Sequence, residues 1–200
     1  MVIMDMSHAF KSAVQQALGK PIIVADRFHF CRYVYWALDR VRRRVQLDFH
    51  PYDRKKCKRV RHIFFKPLTK LNEEQKWMLE RYLNLSDELK QAYQLKEEYR
   101  LWFEQAKEIG KDDITLVKRN LLDFYKRIEE EGIEELLQTK KTFMNWQTEI
   151  LNSFVFDYSN GFLEGINNLT KVMKRNAFGY RRFDRFRSKV LLHHQFKDIG

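Results

Sequence analysis

The sequence predicts an α/β fold that is mostly helical and has two parallel strands near its N-terminus. Two apolar runs, 1–4 and 22–25, are too short for helices, and the second is rich in β-branched residues. A helical apolar pattern separates them, and helical spacing continues after Asp26. The chain of 200 residues has only three prolines, which suits a mostly helical protein. A strand, a helix and a second strand in this order predict a βαβ unit with a right-handed crossover.

The first helix is predicted between Ser7 and Gly19. Ser7 has a side chain suited to an N-cap, and Gly19 suits the end of a helix. Between them, apolar residues recur at helical spacing: Ala9, Phe10, Ala13, Val14, Ala17 and Leu18. These positions predict one apolar helix face.

A long helix is predicted after Asp26, and Pro51 is expected to end its pattern. One face of it carries Phe30, Val34, Ala37, Leu38, Val41 and Val45. The stretch 52–66 is basic and less regular in its pattern.

Four further helices are predicted in the middle of the chain. Asn72 and Gln75 resemble a capping box for a helix that ends near Leu83. Helical spacing then predicts helices over about 87–109, 113–130 and 133–152, with glycines at 110 and 132 where helices should end. The aromatic residues of this region recur at helical spacing, which favours packing over a cofactor site.

The C-terminal part is predicted to hold two more helices. The first begins near Asn160 and places Ile166, Leu169, Val172 and Met173 on its apolar face. Gly179 ends it, and the final short helix has Phe183, Phe186, Val190 and Leu191 on one side. We interpret Phe183 and Phe186 as core residues.

The chain is strongly basic, and its charge is unevenly distributed. It has 38 Lys and Arg against 27 Asp and Glu, a net charge of +11. Eleven Lys and Arg lie within 40–66 and eight within 171–189, whereas 72–140 has more acids than bases. Two basic blocks around an acidic middle favour a polyanionic partner, most often a nucleic acid. A basic protein without a special partner is the competing interpretation.

Cysteine content and hydropathy indicate a cytoplasmic protein without a membrane segment. Two cysteines, Cys31 and Cys57, form neither a disulfide framework nor a CxxC zinc pair. The N-terminus lacks the pattern of a signal peptide, and no apolar run reaches the roughly 18 residues of a membrane span.

Polar residues that are candidates for ligand binding or catalysis follow both predicted strands. Asp5 ends the first strand, and Asp26 and His29 follow the second. Ligands and catalytic groups in open α/β sheets gather at the carboxyl ends of strands. The competing interpretation is that Asp5 and Asp26 only cap the helices that follow them.

A second group of candidate residues lies near the C-terminus. Glu164 stands among small polar residues, and Asn167 and Asn168 are poor helix formers that suit donors to a ligand. Glu164 could instead be a first-turn acid favoured by the helix dipole. The basic and aromatic tail that follows, 171–187, is typical of a surface that contacts phosphates and stacks on bases.

These residues resemble the catalytic region of bacterial insertion-sequence transposases of the ISL-three type. The resembling pieces are Asp5-Met6-Ser7, the runs 22–29 and 37–43, and the block 159–187. Within that block the sequences Glu164 to Asn168 and Lys174 to Arg181 are the most specific. The middle of the chain matches in helical character more than in motif.

The resemblance implies a DDE-type enzyme with a ribonuclease H-like core that uses divalent Mg²⁺ or Mn²⁺ to cleave DNA and transfer strands. Asp5 would be the second of three metal-binding acids and Glu164 the third. Asp26 and His29 would form an Asp-x-x-His signature, and they would support the site together with Asn167 and Asn168. The cations and the ring expected to contact DNA are Arg42, Arg43, Lys171, Lys174, Arg175, Tyr180, Arg181, Arg182 and Arg185.

The resemblance also implies three regions: a partial core at 1–38, a helical insertion domain at 39–155, and a C-terminal core helix with the basic tail at 156–200. Two strands alone do not make a stable sheet, so further strands are expected upstream. The first acid of the trio belongs on an earlier strand. We therefore expect a C-terminal transposase fragment that is inactive alone.

The expected partner is DNA at transposon ends, and a homo-oligomer is left open. Two alternatives remain: a non-catalytic DNA-binding module, and a helical interaction protein derived from a transposase.

Overall fold

The computed structural model describes residues 1–156, 158 and 161–195, except for the side chains at 162, 163, 194 and 195. Two compact units divide the chain, Met1–Tyr158 and Ser159–Gly200. The predicted boundary between residues 38 and 39 falls inside a continuous helix. The predicted three-region division therefore stays a hypothesis about domains.

The βαβ unit predicted at the N-terminus is confirmed. Strand β1 (Val2–Met4) pairs in parallel with β2 (Ile23–Ala25), with Met4 opposite Ala25. Helix α1 (His8–Leu18) connects them, and Ser7 caps it by accepting a hydrogen bond from the Phe10 amide at 3.4 Å. Every residue of β2 is buried, whereas no residue of α1 is. The apolar face predicted for α1 is therefore left largely exposed, with Phe10 and Leu18 both in solvent.

Helix α2 (Arg27–Val45) buries all six apolar positions predicted for its core face. The next segment is helical although its sequence pattern is less regular. Helix α3 (Pro51–Arg59) and the short α4 (His62–Phe65) occupy it. Pro51 stands in the first turn of α3, where a proline has no intrahelical N–H bond to lose and its φ suits a helix.

The helices in the middle follow the predicted bounds closely, with one correction. Helices α5 (Glu73–Leu83), α6 (Asp87–Ile109) and α7 (Ile114–Glu131) begin after the side-chain caps Asn72, Ser86 and Asp113. The single helix expected over 133–152 is two helices, α8 (Glu134–Asn145) and α9 (Gln147–Val155). Trp146 separates them with φ −115° and ψ 15°, and its side chain is almost completely buried.

One continuous core holds this first unit together. Helix α2 packs on α6 and α8, α6 packs on α7, and α9 packs on β2. Phe30 lies at the centre, completely buried, with its ring centroid 6.0 to 6.2 Å from those of Phe103, Phe143 and Phe154. The start of α2 is therefore anchored by aromatic packing from three other helices.

The second unit contains α10 (Gly161–Asn176) and α11 (Phe183–Gln195), which pack against each other. The predicted break at Gly179 is confirmed, because Gly179 has φ 97° and its amide bonds to the Lys174 carbonyl at 3.0 Å. Asn160, the predicted cap of α10, lies outside the described residues. Phe183 is 72% exposed, so its interpretation as a core residue is wrong.

Among the helices of the described residues, none is long and apolar enough to cross a membrane.

A buried tyrosine makes the stability of the first unit depend on pH. The hydroxyl of Tyr125 is buried and has no hydrogen-bond partner among the described residues. Burial raises the pKa of this phenol, since an apolar environment disfavours the charged form. The pKa of tyrosine in an unfolded chain is about 10. The native state thus keeps the phenol proton to higher pH than the unfolded chain does. Its stability is therefore retained below about pH 10 and falls as the pH rises further.

We expect Tyr125→Phe to leave stability at neutral pH unchanged or to raise it by about 1 kcal/mol, because it removes an unpaired buried hydroxyl. The variant should also lose less stability than the wild type between about pH 9 and 11. Urea unfolding across this range measures both effects. Tyr99→Phe is the control, because the Tyr99 hydroxyl donates to Cys31 Sγ at 3.4 Å and its removal should destabilise. Equal destabilisation by both changes would contradict the prediction.

Candidate functional site

The two acids that follow the strands leave the sheet side by side. Asp5 follows Met4 of β1, and Asp26 follows Ala25 of β2. The Asp26 amide donates to the Met4 carbonyl at 2.8 Å, so the pairing of the strands continues to their ends. Asp5 and Asp26 therefore start from adjacent carboxyl ends of one parallel sheet, where ligand sites of α/β proteins form.

Asp26 has a structural role at this edge. Its Oδ1 accepts a hydrogen bond from the Phe28 amide at 2.9 Å, which caps α2. Its Oδ2 lies 3.7 Å from Nδ1 of His29, one helical turn further on. The cap interpretation therefore holds for Asp26, and its second oxygen faces the imidazole.

Asp5 differs from Asp26 because the capping role in its helix belongs to Ser7. One carboxylate oxygen of Asp5 is buried and has no hydrogen-bond partner among the described residues. Leaving such an oxygen unpaired costs about 1–3 kcal/mol, more when it is charged. Nδ1 of His29 is also buried and lacks a hydrogen-bond partner within the described part of the chain. These unpaired acceptors fit the oxygen and nitrogen ligands of a divalent cation.

Cys31 is close in sequence to this cluster. Burial raises the pKa of its thiol to about 11. Its sulfur accepts a hydrogen bond from Tyr99, and its side chain packs against the core of the first unit.

Helix α9 forms hydrogen bonds with the edge of the sheet. The sequence patterns did not predict these contacts. The Asn152 side chain donates to the Ile23 carbonyl of β2 at 2.8 Å. The Arg27 guanidinium donates through Nε to the Ser153 carbonyl at 2.9 Å and through Nη2 to the same oxygen. These bonds join β2 and the start of α2 to a helix about 130 residues away along the chain, which fixes the backbone around Asp26 and His29.

In the second unit, α10 carries the other predicted site residues on one face. Glu164 lies in the first turn, and Asn167 and Asn168 follow at i+3 and i+4. All three side chains are exposed. Lys171 continues this face one turn further. The sequence therefore places a carboxylate, two amides and a cation along one helix surface.

The turn between α10 and α11 presents a basic and aromatic surface. Its cations are exposed: Lys174, Arg175, Arg181, Arg182 and Arg185. Tyr180 packs on Phe186 with ring centroids 5.1 Å apart. Phe178 is fully exposed and has φ 51°, an uncommon conformation for a residue other than glycine. An apolar ring held in solvent in this way suits contact with a partner.

The predicted basic residues of α2 have different surroundings. Arg42 is buried, and its guanidinium donates to Asp39 at 2.6 Å and to Gln46 at 2.8 Å. Arg43 is exposed and pairs with Asp39 at 2.7 Å. Arg42 therefore has little freedom to move toward a ligand, whereas Arg43 is accessible.

Comparison with known proteins identifies relatives of the chain. A family model for transposases of the ISL3 type matches residues 1–190. The transposase for insertion sequence element IS1001 from Bordetella parapertussis is 28% identical over 193 residues, which is 94% of this chain and 46% of that protein. A protein named ATP-dependent protease from Lactococcus lactis subsp. lactis is 41% identical over 64 residues, 32% of this chain and 20% of that protein.

The chain thus spans less than half the length of these curated relatives. No solved structure matches it. The sequence has no glycine-rich phosphate loop of the kind that binds ATP, and the protease match covers a third of the chain. The match of the family model, in contrast, extends over both units and contains every candidate residue of the strand edge and of α10. The chain therefore belongs to the ISL3 family of transposases.

Proposed function

We propose that this chain supplies part of the catalytic centre of a DDE-type transposase with a ribonuclease H-like core. In this proposal, Asp5 and Glu164 each hold a divalent metal, and the enzyme cleaves DNA at transposon ends and transfers the strands. The observation that carries it is the Asp5 carboxylate at the carboxyl end of β1. Among the described residues it caps no helix, and one of its oxygens is buried without a hydrogen-bond partner. Membership of a transposase family supports the same chemistry.

The donor set suits Mg²⁺ or Mn²⁺. Carboxylate oxygens are the ligands that these ions prefer. Bound metal ions in such sites activate an attacking hydroxyl and stabilise the leaving oxygen of an in-line displacement. Asp5 supplies negative charge from the end of a strand, and His29 lies near Asp26, with Nδ1 3.7 Å from the Asp26 Oδ2. Asn167 and Asn168 lie one turn beyond Glu164, where their amides can donate to a bound phosphate.

The exposed cations around the α10–α11 turn are proposed to hold the DNA backbone. Arg181 and Arg182 lie between Phe178 and α11, so phosphate contacts and ring stacking are available together. A homo-oligomer assembled on two transposon ends is part of the same proposal.

A non-catalytic DNA-binding module is the second candidate. The observation in its favour is that Asp26 caps a helix. Capping alone explains why an acid stands at this one of the three polar positions that follow the strands. In that case the basic surfaces would bind DNA and Asp5 would bind no metal.

A metal titration separates these functions. The electron paramagnetic resonance signal of free Mn²⁺ should fall as the chain binds the ion. Loss of groups that only orient metal ligands weakens binding about 10–100-fold, so Asp5→Asn should weaken it by at least that much. In the absence of metal the variant should be as stable as the wild type, or more stable by up to about 1 kcal/mol, because a buried unpaired charge is gone.

Asp112→Asn is the matched control, since Asp112 is exposed in the turn between α6 and α7. It should leave Mn²⁺ binding unchanged. Equal Mn²⁺ affinity in the wild type and Asp5→Asn would contradict the metal-binding role and favour the non-catalytic module.

A further inference from the structure

A pocket of about 650 Å³ lies between the C-terminal end of α2 and helix α3 in the first unit. Six of its lining side chains are cationic: Arg42, Arg43, Arg54, Lys55, Lys58 and Arg61. None of its lining residues is acidic. The pocket is therefore a concave, positively charged surface. Such a surface focuses the electrostatic potential and attracts anions.

The sequence of α3 explains how the cations come together. Lys58 follows Arg54 by four positions and Lys55 by three, so Lys58 lies beside both cations on the helix surface. Cys57 of the same helix is completely buried and anchors α3 to the core. Pro51 starts the helix beside the pocket, and Arg61 follows its last turn. The packing of Cys57 therefore turns the cationic face outward.

Most of this charge is not neutralised within the protein. Arg54, Lys55, Lys58 and Arg61 are exposed, and no ion pair involves them in the part of the chain that the structure describes. Asp39 pairs with both Arg42 and Arg43 and is itself mostly buried. Like charges at these spacings destabilise a helix, so the arrangement has a cost that an anionic partner would relieve.

We infer that this pocket binds backbone phosphates of duplex DNA. The inference rests on the proposed function, and it adds a DNA contact in the helical region to the one proposed for the α10–α11 turn. Arginine presents a planar fork that matches phosphate oxygens, and two helices set several cations along one groove. The buried pair of Arg42 with Asp39 and Gln46 holds the pocket wall in place.

The same pocket is unsuited to reading bases. Its aromatic lining residue, Phe49, is half-buried and packs against the core, which leaves less of the ring for stacking on a base. A site that presents cations, but no exposed rings or amides, contacts phosphates. Such a site carries little sequence information. The pocket should therefore bind duplexes of different sequence equally well.

The test compares three variants of the chain for binding to short duplexes at several salt concentrations. The pocket variant is Arg54→Ala/Lys58→Ala/Arg61→Ala. The charge-matched control is Lys118→Ala/Arg119→Ala/Lys141→Ala, three exposed cations on α7 and α8. The turn variant is Arg181→Ala/Arg182→Ala. Circular dichroism and thermal melting check that each variant folds.

We expect the pocket variant to bind every duplex about tenfold or more weakly, with the slope of log affinity against log salt shallower by about 3. The control should change affinity by no more than about twofold, because long-range charge alone is screened at moderate salt. The turn variant should lower the slope by about 2.

The outcomes separate the two proposals. A wild type that binds no DNA would overturn the proposed function together with the pocket assignment. The turn variant could bind DNA more weakly while the pocket variant has the same DNA affinity as its control. That result would overturn the pocket assignment alone. Binding of poly-glutamate as tight as that of duplex DNA at equal salt would assign the pocket to acidic peptides and also overturn the inference.

Discussion

Replacing Glu164 with glutamine should abolish excision of the insertion sequence from a donor plasmid. An amide keeps the size of the side chain but loses the charge that would hold a divalent metal. Metal coordination contributes several kcal/mol to the stabilisation of such a transition state, and each 1.4 kcal/mol is about tenfold in rate. We therefore expect excision to fall at least about a hundredfold in cells in which the protein supports it.

Glu74→Gln is the matched control for this change. Glu164 and Glu74 are both exposed acids in the first turn of a helix, α10 and α5 respectively. Each therefore gains the same interaction with a helix dipole, about 0.3–1 kcal/mol. Excision should persist in the control, and DNA binding should persist in both variants. Normal excision by Glu164→Gln, or an equal loss in both variants, would contradict the catalytic role.

Phe30→Ala should strongly destabilise the first unit. Phe30 is completely buried, and its ring packs edge-on against those of Phe103, Phe143 and Phe154. Truncation of such a residue costs about 3–5 kcal/mol, through lost burial and the cavity that remains. The effect should also reach the candidate site, because Phe30 follows His29 directly at the start of α2.

Urea unfolding followed by circular dichroism measures this loss. Phe10→Ala is the control, since Phe10 is 63% exposed on α1 and its truncation should change the free energy of unfolding by no more than about 0.5 kcal/mol. A loss for Phe30→Ala as small as that of the control would contradict the central place of this ring in the core.

Several features of the fold follow from local sequence. Ser7, Asn72 and Asp113 accept hydrogen bonds from amides three residues ahead, so these caps could be predicted without knowledge of the rest of the chain. The six apolar positions of α2 follow a helical period, and all are buried. The parallel strands placed Asp5 and Asp26 at adjacent ends for the same local reason, the short crossover through α1.

Other features depend on contacts between distant parts of the chain. Trp146 interrupts an otherwise helical pattern, with its side chain buried in the core, and the local sequence gives no sign of that break. Arg42, which was predicted to contact DNA, is buried against Asp39 and Gln46. It lies beside α3, and the basic composition of 52–66 gave no clear helical pattern for that helix.

The candidate site shows the same division. Sequence determined which acids follow the strands and which face of α10 carries Glu164, because strand ends and helical spacing are set by neighbours in the chain. Tertiary structure decided that Asp26 caps a helix while an oxygen of Asp5 stays unpaired. It also gathered Arg54, Lys58 and Arg61 around one pocket, since the packing of Cys57 and the end of α2 orients α3. Charge can be counted in a sequence, but the surface on which it converges is set by packing between distant residues.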